Sequence, residues 1–231
     1  MIAGRTMGKL LVCSAIFVAL TSLTGCAGGA APDTSLPFEV GYEGTSSDVD
    51  ATADELKDLA SFTLQGKEYA LPEGMSAFTE NGWSKSDGSS SDELESMMAT
   101  SMIMTSDNEG FEENDLGLRF DVENTTGTAV PWTEFRVTGV EVSNASSGVD
   151  LSGAFKTSKG LAVGDTVRRA VELYGDPKYV AWNDDKLMFI TWEFDNPSLV
   201  DSGEFMHVRI DAYPNDENTI ESIDINAHVF H

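Results

Sequence analysis

Cysteine is almost missing: the chain of 231 residues has two, Cys13 and Cys26, both near its start. Everything after Cys26 therefore lacks thiols, which excludes disulfides, thiolate zinc sites, cysteine nucleophiles and thiol redox chemistry there. Basic residues are scarce as well, 14 against 39 acids, for a formal net charge of −25. Nucleic acid and anionic head groups reward positive patches, so no nucleic-acid partner is expected. The acids are spread along the chain, and solubility through self-repulsion accounts for them. Histidine is limited to His207, His228 and His231. No H-E-x-x-H pair, G-x-S-x-G elbow, Walker loop or dinucleotide glycine fingerprint occurs, so no enzyme activity, catalytic residue or cofactor is expected. The acid-rich stretches Asp107 to Asp115 and Asp48 to Glu55 do not put glycine at position six and glutamate at position twelve of a calcium loop, and no metal site is assigned.

What is present begins with the order of the first segments. Arg5 and Lys9 precede an apolar run from Leu10 to Leu20. That run falls short of the roughly 20 residues a bilayer-spanning helix needs, so the segment reads as an export signal. It ends in Leu23-Thr24-Gly25-Cys26, which resembles the lipobox of bacterial lipoproteins. The resemblance implies that residues 1–25 are a lipoprotein signal peptide, that the bond before Cys26 is cut, and that the Cys26 sulfur carries a diacylglycerol. It places the chain at the cell membrane, lipid-anchored on the extracytoplasmic face, with the membrane as a partner through Cys26. Two or more acyl chains anchor a protein stably where one binds only marginally.

Residues 26–58 are rich in Ala, Gly, Pro, Ser, Thr and Asp and read as a disordered acidic tether, with Asp54 to Leu59 beginning the first ordered turn. Ser61 to Leu71 reads as two short strands around Gln65-Gly66-Lys67. Met75 to Gly82 predicts one or two helical turns, and Asp92-x-x-Glu95 a helix cap. Helix and strand periods fit the methionine-rich stretch from Met97 to Met104 equally well; core filling is the better account of those methionines than Cu(I) binding. Leu116, Leu118, Phe120 and Val122 alternate with polar residues as a half-buried strand does. Residues 59–145 therefore form an expected mainly-β module.

Residues 146–231 form a second expected module. Val167, Ala170, Val171 and Tyr174 follow helical spacing, with Asp165 as N-cap and Gly175 past the end, before Pro177. Leu187 to Phe194, Met206 to Tyr213 and Ile220 to Val229 predict three strands. Gly160-Leu161, Gly164-Asp165-Thr166-Val167 and Tyr174-Gly175-Asp176-Pro177, followed by strands, resemble the SmpA/OmlA lipoproteins and β-lactamase-inhibitor-protein-like domains over about residues 155–229. The resemblance implies a helix packed on a small antiparallel sheet. With the lipobox, the tether and Gly66-Lys67-x-Tyr69-x-Leu71-Pro72, the whole chain looks like surface lipoproteins of Gram-positive gut bacteria. The expected fold class is α+β, a mainly-β module followed by a helix-plus-antiparallel-sheet module.

If Pro214 to Thr219 turns a hairpin, Arg209 faces Asp224 and His207 faces Asn226, on one side with Asp211, Tyr213 and His228. His207, Arg209, Tyr213 and Asn226 are the candidate binding face, with the solvated side of a sheet as the plainer reading. Val208, Ile210, Ile223 and Ile225 are expected beneath the helix from Thr166 to Tyr174. Trp182, Trp192 and Phe194 are expected to pack in the core. These features point to a non-catalytic protein-binding or scaffold module that meets another envelope or surface protein. A small-ligand or solute-binding surface lipoprotein is the alternative.

Overall fold

The computed structural model describes residues 32–45, 49–87, 92–107, 111, 117–144, 151, 153–196 and 205–230. Cys26, Leu23, Thr24 and Gly25 of the lipobox, with the signal peptide as a whole, lie outside the described residues, as does His231. Among the described residues no helix is long and apolar enough to cross a membrane.

A ten-stranded mixed sheet organises the chain. Its central strands are β7 (Ala99–Thr105), β8 (Leu118–Glu123), β10 (Arg136–Ser143), β15 (Ile220–Phe230), β14 (Phe205–Pro214) and β13 (Lys186–Asp195), side by side in the order β7-β8-β10-β15-β14-β13. β5 (Ser84–Lys85) joins β7, and β4 (Glu73–Gly74) joins β10. β12 (Tyr179–Asn183) pairs antiparallel with β13, and β1 (Val49–Asp50) pairs with it in parallel. β11 (Phe155–Thr157), β2 (Ser61–Leu64) and β3 (Lys67–Ala70) make a separate three-stranded sheet, and β6 (Glu93–Leu94) pairs with β9 (Val130–Pro131). The helices are α1 (Ala53–Leu59), α2 (Met75–Thr79) and α3 (Val167–Tyr174).

One face of the large sheet is apolar, because alternate residues of every central strand are. Val208, Ile210, Ile223, Ile225, Val140 and Phe120 are fully buried there. α1 lies against β14, and Tyr174 of α3 sets its ring 5.3 Å from Trp192. Thus Val208, Ile210, Ile223 and Ile225 are buried as the alternation predicts, while α1 supplies the cover over β14 and α3 reaches β13. An aromatic chain ties the small sheet to the large one: Phe62 to Tyr69 at 5.6 Å, Tyr69 to Phe78 at 4.3 Å, Phe78 to Phe120 at 4.5 Å. Each such ring contributes burial plus a favourable pair geometry, so truncating Phe78 to alanine would cost about 3–5 kcal/mol.

The α+β expectation is overturned. Of the described residues 47% are strand and 14% helix, and they include three α-helices. The strands expected in two modules join one sheet, since β10 pairs with β15 from Gly139↔Asn226 to Ser143↔Ser222. The reason is physical: β15 is apolar on one face, and its free edge would expose unpaired backbone unless another alternating strand closed it. Val140 and Val142 continue the row of Ile225 and Ile223 and do so.

Local expectations fared differently. The hairpin at Gln65-Gly66, the helix α2 and the start of α1 form where the residues predict them. In the methionine-rich stretch, strand β7 begins at Ala99, with Met102 and Met104 buried in it and Met97 and Met98 exposed ahead of it. Asp92 caps no helix; Glu93 and Leu94 pair with Pro131 and Val130 instead. The N-cap of α3 is Thr166, whose hydroxyl accepts from the Arg169 amide, while Asp165 accepts from the Ala162 amide at 2.9 Å. Gly175 ends the helix at φ 82° and ψ −165°. The segment expected as tether is laid onto the domain from Pro32 to Thr45, and α1 begins with a full capping box between Thr52 and Glu55.

Candidate functional site

The other face of the large sheet is polar and open, and the strand register decides which side chains meet there. One row across β13, β14, β15, β10 and β8 reads Thr191, Asp211, Asp224, Glu141, Arg119. The adjacent row reads Glu193, Arg209, Asn226, Gly139, Asp121, continuing to Ser101 of β7. A groove of about 610 Å³ runs over these rows, lined among others by Ser101, Asp121, Arg209, Asp211, Tyr213 and Asp224.

Three carboxylates on directly opposed strand positions would repel one another. Two of them are compensated by arginines. Asp211 accepts from Arg209 Nε at 2.7 Å and from the Thr191 hydroxyl, and Glu141 accepts from Arg119 Nη2 at 2.7 Å and from Ser222 Oγ at 3.1 Å. Outside that row, Glu123 pairs with Arg136 at 3.3 Å. Asp224 accepts from the Asn226 amide, at 2.9 Å, and among the described residues no arginine or lysine stands within ion-pair distance of it. Asp121 accepts from Ser101 Oγ, and Arg119 Nε is no nearer than 4.0 Å. Burial, followed by the charges of Asp121, Asp211 and Glu141, pushes the Asp224 carboxyl up to about 7, against a partial opposing effect of Arg119. The groove therefore holds a carboxyl whose proton burial and the neighbouring carboxylates retain well above the usual carboxylate range.

Gly139 makes the floor possible. A Cβ there would stand 2.2 Å from Asn226 Oδ1 and 3.0 Å from the Asp121 Cβ, so only glycine lets Asn226 lie across β10. Tyr213 closes one side, its ring 5.9 Å from Phe189, and burial with the Asp211 charge pushes its hydroxyl up to about 12.

The four residues expected on the binding face do share it, but they are half-buried. Arg209, Tyr213 and Asn226 line the groove, whereas His207 stands beside it with Nδ1 2.6 Å from Asp195 Oδ1. The expected register is off by two residues: Arg209 faces Asn226, His207 faces His228, and Asp224 faces Asp211. A shift of two leaves every side chain on its face, so alternation alone could not detect it. Asp121, Glu141 and Gly139 were not legible as site residues, because they arrive from strands distant in sequence. Trp192 and Phe194 are buried in the core as expected, and Trp182 is half-buried with its Nε1 donating to the Tyr42 carbonyl. Among the described residues no three His, Cys, Asp or Glu side chains are placed to hold a metal ion.

Comparison of the chain with protein-family models, curated proteins and solved structures finds no match.

Proposed function

We propose that the chain is a lipid-anchored extracytoplasmic binding protein, held at the membrane through Cys26, whose groove receives a basic side chain of an envelope or surface protein. The observation that carries this reading is Asp224, a buried carboxyl whose hydrogen-bond donor is a neutral amide, beside an Asp121 whose nearest cation among the described residues is Arg119 Nε at 4.0 Å. A lysine or arginine entering the groove supplies the missing charge and relieves the repulsion along the row. Tyr213 offers a rigid ring beside it, the kind of residue on which binding energy concentrates. The reading is non-catalytic: the sequence has none of the hydrolase, phosphoryl-transfer or dinucleotide motifs, and the groove's polar groups are disposed for holding charge.

A second reading is favoured by the groove's size. About 610 Å³ falls within the range of small-ligand pockets, so a small organic cation such as a polyamine fits the same charge pattern. Calorimetric titration of the 27–231 fragment with tetralysine and with spermidine separates the two. Binding of tetralysine in preference to spermidine supports the protein partner, and the reverse supports the solute. An Asp121→Asn, Asp224→Asn double variant should lose at least about tenfold in affinity for whichever binds. Undiminished binding by the double variant, or no binding of either cation by the wild type, removes the groove as a cation site.

A further inference from the structure

Asp195 of β13, His207 of β14 and His228 of β15 stand in one line across three neighbouring strands, on the polar face and one row beyond Arg209 and Asn226. Two of the chain's three histidines thereby meet. Directly opposed residues on antiparallel strands hold their Cβ atoms about 4.5–5.5 Å apart, near enough for both imidazoles to converge on one atom. His207 is fixed from its other side, with Nδ1 2.6 Å from Asp195 Oδ1. A carboxylate only accepts, so the proton of the neutral ring sits on Nδ1 and the Nε2 lone pair turns away from Asp195. Among the described residues no hydrogen bond engages that Nε2. His207 and Asp195 are half-buried, which restrains their rotamers, while His228 is exposed and lines the groove. One nitrogen of each ring suffices for a metal bond, whatever the other nitrogen contacts.

A ring whose second nitrogen donates to a carboxylate is the usual form of a metal-binding histidine, because the carboxylate fixes the tautomer and raises the basicity of the ligating nitrogen. Asp195 is placed for that role. The cations nearest this row are each held by a carboxylate of their own: Arg209 Nε donates to Asp211 at 2.7 Å, and Lys178 pairs with Glu193. A net charge of −25 favours the approach of any cation. Neutral imidazoles then select late transition-metal ions over calcium and magnesium, with Cu(II) bound most tightly. Among the described residues no third histidine, cysteine or carboxylate completes the set, so the chain supplies two donors. We propose that His207 and His228 form a two-imidazole site for a divalent late transition-metal ion, with Asp195 as the positioning residue and the remaining coordination positions open to water or to a donor from a second molecule.

The test uses the untagged full chain in detergent, carrying Cys13→Ala and Cys26→Ala so that no thiol competes for the metal. One equivalent of Cu(II) is added, and electron paramagnetic resonance reads nitrogen superhyperfine splitting, which the many carboxylates of this chain cannot produce. The spectrum should show two nitrogen donors in the parent, one in His207→Ala or in His228→Ala, and none in the double variant. Asp195→Ala should keep both nitrogens and weaken the calorimetric affinity about tenfold or more. His231→Ala should change neither reading, and neither should the Asp121→Asn, Asp224→Asn pair, which keeps this site distinct from the carboxyls of the groove. His228 is exposed, so its variant should unfold at the parent's urea midpoint; should His207→Ala not melt cooperatively, His228→Ala decides alone. A parent spectrum without nitrogen splitting, a two-nitrogen spectrum that survives loss of His228, or one that disappears with His231 overturns the site. None of these results touches the groove's binding of tetralysine or spermidine, which is measured without metal.

Discussion

Asp211 and Asp224 face each other across the β14–β15 ladder, 2% and 7% exposed, and among the described residues Asp211 is ion-paired with Arg209 while Asp224 has no cation within ion-pair distance. The row they share with Glu141 brings three carboxylates together on the polar face of the sheet, and its cost depends on pH.

Stability should fall as pH rises through this row. The Asp224 carboxyl titrates near 3.8 when unfolded and is held up to about 7 when folded, so the folded chain binds its proton more tightly. Its contribution is harmless below about pH 4 and becomes a growing penalty between about 4 and 7, reaching about 4 kcal/mol above that. Asp224→Asn should therefore stabilise the protein at pH 8 by about 2–4 kcal/mol and leave stability at pH 4 nearly unchanged. Urea melts of both proteins at the two pH values check this; an equal gain at pH 4 would contradict it.

A cation that ionises Asp224 must displace its proton. Affinity for tetralysine or spermidine should rise as pH passes from about 6 to about 8, with proton release on binding near pH 7. Titrations in two buffers of different ionisation enthalpy measure that release, and it should vanish in Asp224→Asn.

Gly139→Ala should cost about 1–3 kcal/mol, since its methyl group overlaps the Asn226 side chain and something must shift. The loss should be accompanied by weaker cation binding, because Asn226 is the partner of Asp224. A melting temperature and an affinity both equal to wild type would show that Asn226 moves freely.

Gly175→Val tests the stop of α3. Nothing lies within 4 Å of the missing Cβ, so the cost is backbone strain at φ 82° and not a clash. A β-branched residue should lose about 2 kcal/mol or more, read as a lower denaturation midpoint at unchanged slope.

Cys26→Ala should release the chain from the membrane fraction or block processing. Membrane retention of a chain with a cleaved N-terminus would refute the lipid anchor.

Features set by near neighbours are legible in the sequence. The Gln65-Gly66 turn, the spacing of Val167, Ala170 and Tyr174, the Gly175 stop, and the alternation of Val208, Ile210, Ile223 and Ile225 each depend on residues a few positions apart, where period and turn chemistry act directly. The sequence alone also determined the acidity, the lack of thiols after Cys26 and the limits these put on chemistry. What only tertiary structure decided is which strands become neighbours. Alternation tells a strand which face is buried but not which partner lies beside it, nor its register to within two residues. That choice joined β10 to β15, brought Asp121 and Glu141 beside Asp224, and set His207 against His228, so the groove and the histidine pair both exist through pairings that local sequence does not encode.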